Sequence, residues 1–152
     1  MSRFPNGQVP RNLLVELAPY HWMPAATAVR WKSLVEDIRR NEGVTMYITP
    51  GKNAYRDYEG QVFARNNACA EGRCNDAAVS GTSSHGGEYQ GRDSLAIDVA
   101  NWAEIGQRKW YDYCRKQGFE PGFFAWEPWH IIDWSPWTMP AGGKVPSSTT
   151  TR

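Results

Sequence analysis

The spacing of hydrophobic residues changes from helical to strand-like and back several times along the chain. The best helix is predicted over PAATAVRWKSLVEDIRRNEG, which starts at Pro24 and stops at Gly43. Its apolar side follows the i, i+3, i+4, i+7 pattern at Trp31, Leu34, Val35 and Ile38. This pattern is typical of a helix with one buried face.

The other periodic segments are shorter. VTMYI (44–48) predicts a strand that ends at the turn TPGKN, and YRDYEGQVFARNNA predicts a loop entering a helix with Asp57 as its N-cap. LAIDVAN predicts a strand, EIGQRKWYDYCRKQG a helix closed by Gly118, and GFFAWEPWHIIDW a strand pair or one bent strand. The order α, β, α, β, α, β, β indicates an α+β domain with a small, mostly antiparallel sheet and flanking helices.

Three segments lack periodicity. Residues 1–23 contain three prolines and are predicted to be mostly irregular. Residues 68–94 are rich in Gly, Ser, Asn and Cys, and so long a loop inside a domain is usually functional. Residues 140–152, PAGGKVPSSTTTR, have the composition of a flexible linker or tail. We therefore expect one domain over 1–139. A linker at 140–152 could lead to a C-terminal wall-binding domain.

Composition narrows the class of protein. A chain of 152 residues with 41% hydrophobic residues can bury one core. Its 17 basic and 16 acidic residues give a net charge of +1 without long blocks of one sign, which argues against nucleic-acid binding. No apolar run approaches the roughly 20 residues of a membrane span, and no signal peptide is recognisable at the N-terminus. We expect a monomer made in a cytoplasm.

The three cysteines form an odd set, which is a poor disulfide framework. Cys69 and Cys74 in CAEGRC could pair in an oxidising compartment, or belong to a zinc knuckle that lacks its other ligands. We expect Cys69, Cys74 and Cys114 to be reduced, non-catalytic thiols.

Candidate chemistry lies in two predicted strands and the long loop. In LAIDV, strand alternation puts Asp98 on the face opposite the large apolar residues, and in WHIIDW it turns His130 away from Trp129. If these strands are neighbours, Asp98 and His130 share a cavity that His85 reaches from the loop. Two histidines, an aspartate and a water make a catalytic zinc site with one open position. Glu127 is then available as the general base.

Four separated pieces of sequence resemble a known signature. The pieces are SSH (Ser83 and His85), LAID (Ala96 and Asp98), EPWH (Glu127, Trp129 and His130) and AYRDYEGQ (Arg56 and Gln61). In this order they are similar to the motifs of zinc D-alanyl-D-alanine carboxypeptidases of the vancomycin-resistance type, whose relatives include phage endolysins that cut peptidoglycan stem peptides. The resemblance covers roughly residues 25–134.

The resemblance implies a small α+β zinc-peptidase fold shared with the Hedgehog signalling domain. It implies one zinc ion per chain on His85, Asp98 and His130, with Glu127 as base and Arg56 steadying the substrate. Gln61, Ser83 and Trp129 are the further substrate-binding residues expected. An endolysin of this kind accumulates in the host cytoplasm and acts on the wall after release.

The chain departs from the family pattern between His85 and Asp98. Here EYQGRD (88–93) has the character of an insertion, and Ser94 stands where the family has glycine. Glu88 and Asp93 are therefore rival ligands, although neither has the A-x-D strand context of Asp98. We expect the insertion to cover the site without supplying a ligand.

Alternatives remain within and beyond the enzyme class. A carboxypeptidase would remove the terminal D-alanine, whereas an endopeptidase would cut inside the stem or the cross-bridge. A non-catalytic zinc-containing wall-binding module of the same fold is the rival class, and Glu127 distinguishes it because a structural zinc site needs no base. A tryptophan-rich interaction domain without metal would leave Asp98 and Glu127 uncompensated. His21 is expected to be structural.

Overall fold

The computed structural model describes residues 1–143 and confirms an α+β chain of three helices and small antiparallel sheets. The helices are α1 (Ala25–Glu42), α2 (Tyr58–Ala70) and α3 (Gln107–Lys116). The strands are β1 (Leu14–Glu16), β2 (Trp22–Pro24), β3 (Glu88–Tyr89), β4 (Arg92–Asp93), β5 (Leu95–Asp98), β6 (Glu120–Pro121) and β7 (His130–Asp133). Short 3-10 helices lie at Arg11–Leu13, Cys74–Asp76, Ser84–Gly86 and Trp102–Ile105.

Helix α1 is formed as the hydrophobic pattern predicts. Trp31, Leu34 and Ile38 are buried, with 6%, 0% and 0% of their surface exposed, and Val35 packs against the same core from its edge. The helix ends at Gly43, whose φ of 70° is left-handed and which a glycine adopts at least cost. The apolar stripe thus fixes the position of α1 on the core.

The sheet that carries the candidate site has the strand order β5-β7-β6, with both pairs antiparallel. Leu95, Ile97 and Val99 belong to the core, as alternation along the strand predicts. The intervening Asp98 points to the other face, where its partner in the register is His130 on β7. The sheet therefore separates the core from the site.

The predicted strand at 44–48 is wrong as an element. Only an isolated bridge joins Ile48 to Val99, although the segment alternates between exposed and buried residues. One backbone group of this segment is bonded to a side chain, because the Tyr47 N–H donates to Asn101 Oδ1 at 3.1 Å. Backbone hydrogen bonds form only around the bridge, from the Thr49 N–H to the Asp98 carbonyl oxygen and from the Ala100 N–H to the Tyr47 carbonyl oxygen, both at 2.9 Å. The segment therefore lacks the continuous ladder of a regular strand.

Residues 1–23 are more ordered than predicted. Strands β1 and β2 pair antiparallel, with Val15 opposite Met23. Trp22 and Met23 are buried, at 5% and 0% exposure. The segment is therefore tied to the core before α1 begins.

Helix α2 begins at its predicted cap and ends beside a disulfide. The Asp57 carboxylate accepts a hydrogen bond from the Gly60 N–H at 2.7 Å, as an N-cap does. Cys69 and Cys74 form a disulfide, so the prediction of reduced thiols at these positions is wrong. Cys114 is free and buried, and burial raises its pKa well above the usual range of a thiol. An inert thiol at Cys114 is consistent with that shift.

The C-terminal linker predicted at 140–152 lies mostly outside the described residues, which include only its first part, 140–143. Within 1–143, no helix combines the length and the apolar character needed to cross a membrane.

Candidate metal centre

Two of the predicted ligands face each other across the sheet. Asp98 ends β5, His130 begins β7, and the two residues are directly paired in the antiparallel register. Their side chains meet, with His130 Nδ1 2.9 Å from Asp98 Oδ1. His130 is 3% exposed. Strand alternation and antiparallel pairing together bring this pair into contact, as expected if the two strands are neighbours.

The third predicted ligand arrives from the loop before the insertion. His85 lies in the short 3-10 helix Ser84–Gly86, and the Ser83 hydroxyl accepts a hydrogen bond from the His85 N–H at 3.1 Å. The loop approaches the N-terminal segment so closely that a Cβ at Gly86 would collide with the side chain of Asn6. This packing holds His85 Nε2 3.2 Å from Asp98 Oδ2.

The second nitrogen of each histidine is occupied by the protein. His85 Nδ1 lies 2.8 Å from the Ala54 carbonyl oxygen, and His130 Nε2 lies 3.0 Å from Ser84 Oγ. Such partners fix the tautomer and orientation of a metal-binding histidine. They leave His85 Nε2 and His130 Nδ1 to face the carboxylate.

The contact between His85 and Asp98 lacks a cation. A carbonyl oxygen only accepts, so His85 Nδ1 carries the hydrogen, and a neutral ring then turns a bare Nε2 toward a carboxylate oxygen. Burial lowers the pKa of His85, which favours this neutral ring. Burial raises the pKa of Asp98, whereas positive charge on the two imidazoles would hold it well below its usual range. With the His85 ring neutral and the Asp98 carboxylate ionised, two lone pairs face each other.

A metal ion fits this arrangement. Among residues 1–143, His85, Asp98 and His130 form the group whose ligand atoms all lie within 4.8 Å of one another. Neutral imidazole nitrogens and an ionised carboxylate are the donors that zinc takes in catalytic sites, where a fourth position stays open. Metal ions that favour imidazole, including copper, iron and nickel, suit the same donors. The structure thus brings together the three predicted ligands.

The predicted base stands beside these ligands. Glu127 precedes β7 in a turn in which the His130 N–H donates to the Glu127 carbonyl oxygen at 3.1 Å. Its Oε1 lies 3.7 Å from His130 Nδ1, and 23% of the side chain is exposed. Burial raises the pKa of this carboxyl group. Glu127 is close enough to act at the site and remains open to solvent on one side.

Arg56 lies close enough to Asp98 and Glu127 for the charges of these groups to act on one another. Its Nε donates to the Lys52 carbonyl oxygen at 2.9 Å, and one terminal nitrogen donates to Asn53 Oδ1 at 3.0 Å. Burial lowers the pKa of this guanidinium, while the charges of Asp98 and Glu127 raise it. An arginine in this position places a positive charge beside the Asp98 and Glu127 carboxylates.

Gln61 and Ser83 were predicted to bind substrate, and the structure places both in the support of the histidine loop. The Gln61 amide nitrogen donates to Asn6 Oδ1 and to the Arg56 carbonyl oxygen at 2.8 and 3.2 Å. Its oxygen accepts from the N–H groups of Gly81 and Ser83 at 2.8 and 3.3 Å. These contacts use the amide fully, so Gln61 orients the loop. Substrate contact by either residue stays a prediction.

A cavity of about 810 Å³ opens in front of the ligands and is lined by Arg56, Ser83, Glu127 and the three ligands, among others. Trp129, predicted to contact substrate, is not among the lining residues, and its carbonyl oxygen accepts a hydrogen bond from the Val99 N–H at 2.9 Å. Trp126 lines the cavity instead and is 71% exposed. The sequence does not distinguish Trp126 from Trp129, because both rings lie in the same aromatic run, WEPWH.

The insertion forms a β-hairpin at the cavity mouth. Strands β3 and β4 pair antiparallel, and the turn between them uses left-handed conformations at Gln90 and Gly91 (φ 50° and 84°). The Tyr89 ring packs edge-on against Phe123 and Phe124 at 5.7 and 6.3 Å. Tyr89 and Gln90 both line the cavity. The hairpin is therefore a packed wall of the site.

The rival ligands in this hairpin are used elsewhere. Glu88 Oε2 accepts a hydrogen bond from the Gly91 N–H at 2.7 Å, and Asp93 Oδ1 accepts one from the Arg3 N–H at 2.6 Å. Neither belongs to the metal-binding group found in residues 1–143. These contacts favour Asp98 as the carboxylate ligand.

The remaining histidine has a structural contact. His21 Nε2 lies 3.0 Å from the Thr49 carbonyl oxygen, and burial lowers the pKa of the ring. The contact joins the β1–β2 turn to the segment after Ile48.

Comparison with known protein families, with curated proteins and with solved structures found no match to this chain. What the protein does is therefore inferred from the site and from its four motifs.

Proposed function

We propose that this protein is a zinc metallopeptidase that hydrolyses peptide bonds in peptidoglycan stem peptides. The observation that carries the proposal is the unmatched contact of His85 with Asp98, which needs a cation, in a cavity that also holds a carboxylate and a guanidinium. A structural zinc site would be closed by four protein ligands. Here three ligands face a cavity, as in a catalytic site.

Zinc would be held by His85 Nε2, Asp98 and His130 Nδ1, and when bound it supplies Lewis-acid activation of water and of the substrate carbonyl. The protein keeps the histidines in the required tautomer. The Ala54 carbonyl oxygen accepts from His85 Nδ1–H, and the Ser84 hydroxyl, 3.0 Å from His130 Nε2, would accept from Nε2–H when His130 Nδ1 holds the metal.

Glu127 moves the proton in this proposal. Its carboxylate takes a proton from the attacking water, whose oxygen forms a bond to the carbonyl carbon of the substrate. When the C–N bond breaks, the same proton passes to the leaving nitrogen, and one water has been added across the amide. The raised pKa of Glu127 brings this carboxyl closer to the operating pH, where general acid–base transfer is most effective.

Arg56 orients the substrate. Its Nε and one terminal nitrogen are bonded to the protein, which fixes the plane of the guanidinium. The remaining terminal nitrogen has no hydrogen bond within residues 1–143 and can donate to a carbonyl or carboxylate oxygen of a peptide.

The substrate class and the biological setting come from the motif resemblance. The order of the four motifs supports membership of the D-alanyl-D-alanine carboxypeptidase family with its Hedgehog-like fold, and supports a phage endolysin peptidase domain. In that setting the chain is a monomer, is made in the host cytoplasm and cuts the wall after release. The three helices and the short antiparallel sheets are compatible with this fold.

The second candidate is a wall-binding module that keeps zinc without catalysis. The exposed Trp126 at the cavity mouth favours it, because exposed tryptophans often serve as binding platforms. Glu127 argues against it, because a carboxylate beside the open side of the ligands has no role in a purely structural site.

Replacing Glu127 with Gln separates these candidates. Glu127→Gln keeps the size of the side chain and removes the base, so cleavage of purified peptidoglycan should fall by about 10²–10⁴-fold. Zinc content should not change, since Glu127 is not a ligand. Soluble peptides released from the wall are measured by mass spectrometry, with Glu36→Gln, an exposed residue of α1, as the matched control.

Two results would decide against the proposal. A wild type that holds zinc and releases no peptide would be the binding module. A Glu127→Gln variant that loses zinc would make Glu127 a ligand and require another base.

A further inference from the structure

The side chain of Asn6 joins the two ends of the histidine loop, residues 83–88. Its amide nitrogen donates to the Ser83 carbonyl oxygen at 2.8 Å and to the Glu88 carbonyl oxygen at 2.5 Å. These two acceptors lie on either side of His85 in the chain, so a single amide spans the segment that carries this ligand. Asn6 itself belongs neither to the metal-binding group nor to the four motifs.

The orientation of the Asn6 amide follows from its neighbour Gln61. The Gln61 oxygen accepts from the backbone N–H groups of Gly81 and Ser83, and a backbone N–H can only donate. The Gln61 nitrogen then faces Asn6 Oδ1 at 2.8 Å. The Asn6 nitrogen is therefore left for the two loop carbonyls, and a reversed amide would set oxygen against oxygen.

Backbone hydrogen bonds dock the N-terminal segment, residues 1–9, on two sides. The Gly7 N–H donates to the Gly86 carbonyl oxygen at 2.8 Å, and the Gly7 carbonyl oxygen accepts from the Tyr58 N–H at 3.2 Å. Gly7 has a left-handed φ of 76°, and a Cβ there would lie 2.8 Å from the Tyr58 nitrogen, so the position favours glycine. The N-terminal segment thus lies between the histidine loop and the start of α2.

We infer that Asn6 is a positioning residue of the metal site, and that docking of the N-terminal segment and binding of the metal ion strengthen each other. The inference deepens the proposed function and rests on its metal site. His85 Nε2 has to stay within reach of Asp98 and His130 for the three groups to hold one ion, and the histidine loop sets its position. A coupling between two binding events acts equally in both directions. An ion that holds His85 in place therefore also favours the segment bonded around it.

Asn6→Asp tests the two donors without changing the size of the side chain. The ionised carboxylate can still accept from Gln61 but donates nothing to the loop carbonyls. Zinc affinity, measured by competition with a chelator, should weaken by about 10- to 100-fold, as for other groups that orient a metal ligand. The added negative charge would by itself attract a cation, so weaker binding reports the lost donors.

Asn12→Asp is the matched control for this substitution. Asn12 follows shortly after the N-terminal segment and is exposed, and no hydrogen bond within residues 1–143 joins its side chain to the histidine loop. Its zinc affinity should stay within about 2-fold of wild type, because water and salt screen an exposed charge.

Hydrogen exchange of the wild type gives a second readout that needs no variant. The Gly7 N–H exchanges when its bond to Gly86 opens. Saturating zinc should slow this exchange by about 10-fold, a typical size for coupling between two sites. The Gly43 N–H is the reference, because it bonds to the Arg39 carbonyl oxygen at the end of α1 and should exchange at the same rate with and without zinc.

Unchanged zinc affinity in Asn6→Asp would overturn the positioning role, and zinc-independent exchange of the Gly7 N–H would overturn the coupling. Either result leaves the proposed peptidase standing. If Asn6→Asp does not fold, the exchange measurement on the wild type decides. A wild type that binds zinc and shows both effects but cuts no wall would refute the peptidase and support the inference. A wild type that binds no zinc would refute both.

Discussion

The β5–β7 pair carries a buried or nearly buried carboxylate at each end, and the two ends are built differently. At one end Asp133 accepts hydrogen bonds from Thr27 Oγ1 at 2.8 Å, from the Ser135 N–H at 2.9 Å and from Arg30 at 3.1 Å. At the other end Asp98 faces two imidazoles. Within residues 1–143, only the first carboxylate accepts a hydrogen bond from an arginine.

The difference separates a structural site from a metal site. Asp133 is 0% exposed, and its hydrogen bonds and Arg30 compensate the buried charge as stability requires. Asp98 instead meets the bare nitrogen of His85 and opens to a cavity. A buried carboxylate that faces the bare nitrogen of a neutral ring needs a bound cation to compensate its charge. This requirement identifies a candidate metal ligand better than burial does.

Exchanging each aspartate for asparagine should show the largest difference between the two sites. Asp133→Asn leaves Arg30 without its buried partner, so the free energy of unfolding should fall by about 3 kcal/mol, with metal binding retained. Asp98→Asn should abolish stoichiometric zinc and leave the metal-free stability within about 1 kcal/mol of wild type. Urea unfolding and metal analysis check both, and loss of zinc in Asp133→Asn alone would reverse the assignment.

The hydrogen-bond partner of His130 offers a finer test. Ser84→Ala removes the hydroxyl beside His130 Nε2, so zinc affinity should weaken by about 10- to 100-fold, the usual effect of such a partner. Competition with a chelator measures the affinity. Thr82→Ala is the control, because the Thr82 hydroxyl donates to the nearby Val79 carbonyl oxygen and touches no ligand. Unchanged affinity in Ser84→Ala would show that the serine does not orient the ring.

A substitution in the β3–β4 hairpin should have the smallest effect on the free energy of unfolding. Gln90 holds a left-handed φ of 50° that glycine adopts without strain, so Gln90→Gly should raise the free energy of unfolding by up to about 1 kcal/mol. Zinc content should not change, because the hairpin supplies no ligand. The preference among peptides should change, because Gln90 lines the cavity. Loss of zinc in Glu88→Ala or Asp93→Ala would instead make the hairpin part of the metal site.

The sequence predicts those parts of the site that follow from strand periodicity. Alternation places Asp98 and His130 on one face, and antiparallel pairing makes them partners. His85 follows from its motif and from the glycines after it. Ser84 could not be found this way, because the contact of its hydroxyl with His130 depends on how the loop folds over the sheet.

The errors in the fold have local causes. In the segment 44–48, the Tyr47 N–H donates to the Asn101 side chain, and the hydrophobic pattern of the sequence cannot predict this contact. The Cys69–Cys74 disulfide depends on where α2 ends. Trp126 and Trp129 lie next to a turn, where alternation does not decide which ring faces the cavity.

The central claim is that His85, Asp98 and His130 bind one zinc ion, and metal titration of the purified chain tests it most directly. We expect one zinc per chain in the wild type and in His21→Ala, because the His21 ring lies against the Thr49 carbonyl oxygen and is not part of the metal-binding group in residues 1–143. We expect no stoichiometric zinc in His130→Ala, which lacks one of three ligands. A wild type that never holds zinc, or a His130→Ala variant that retains one zinc per chain, would contradict it.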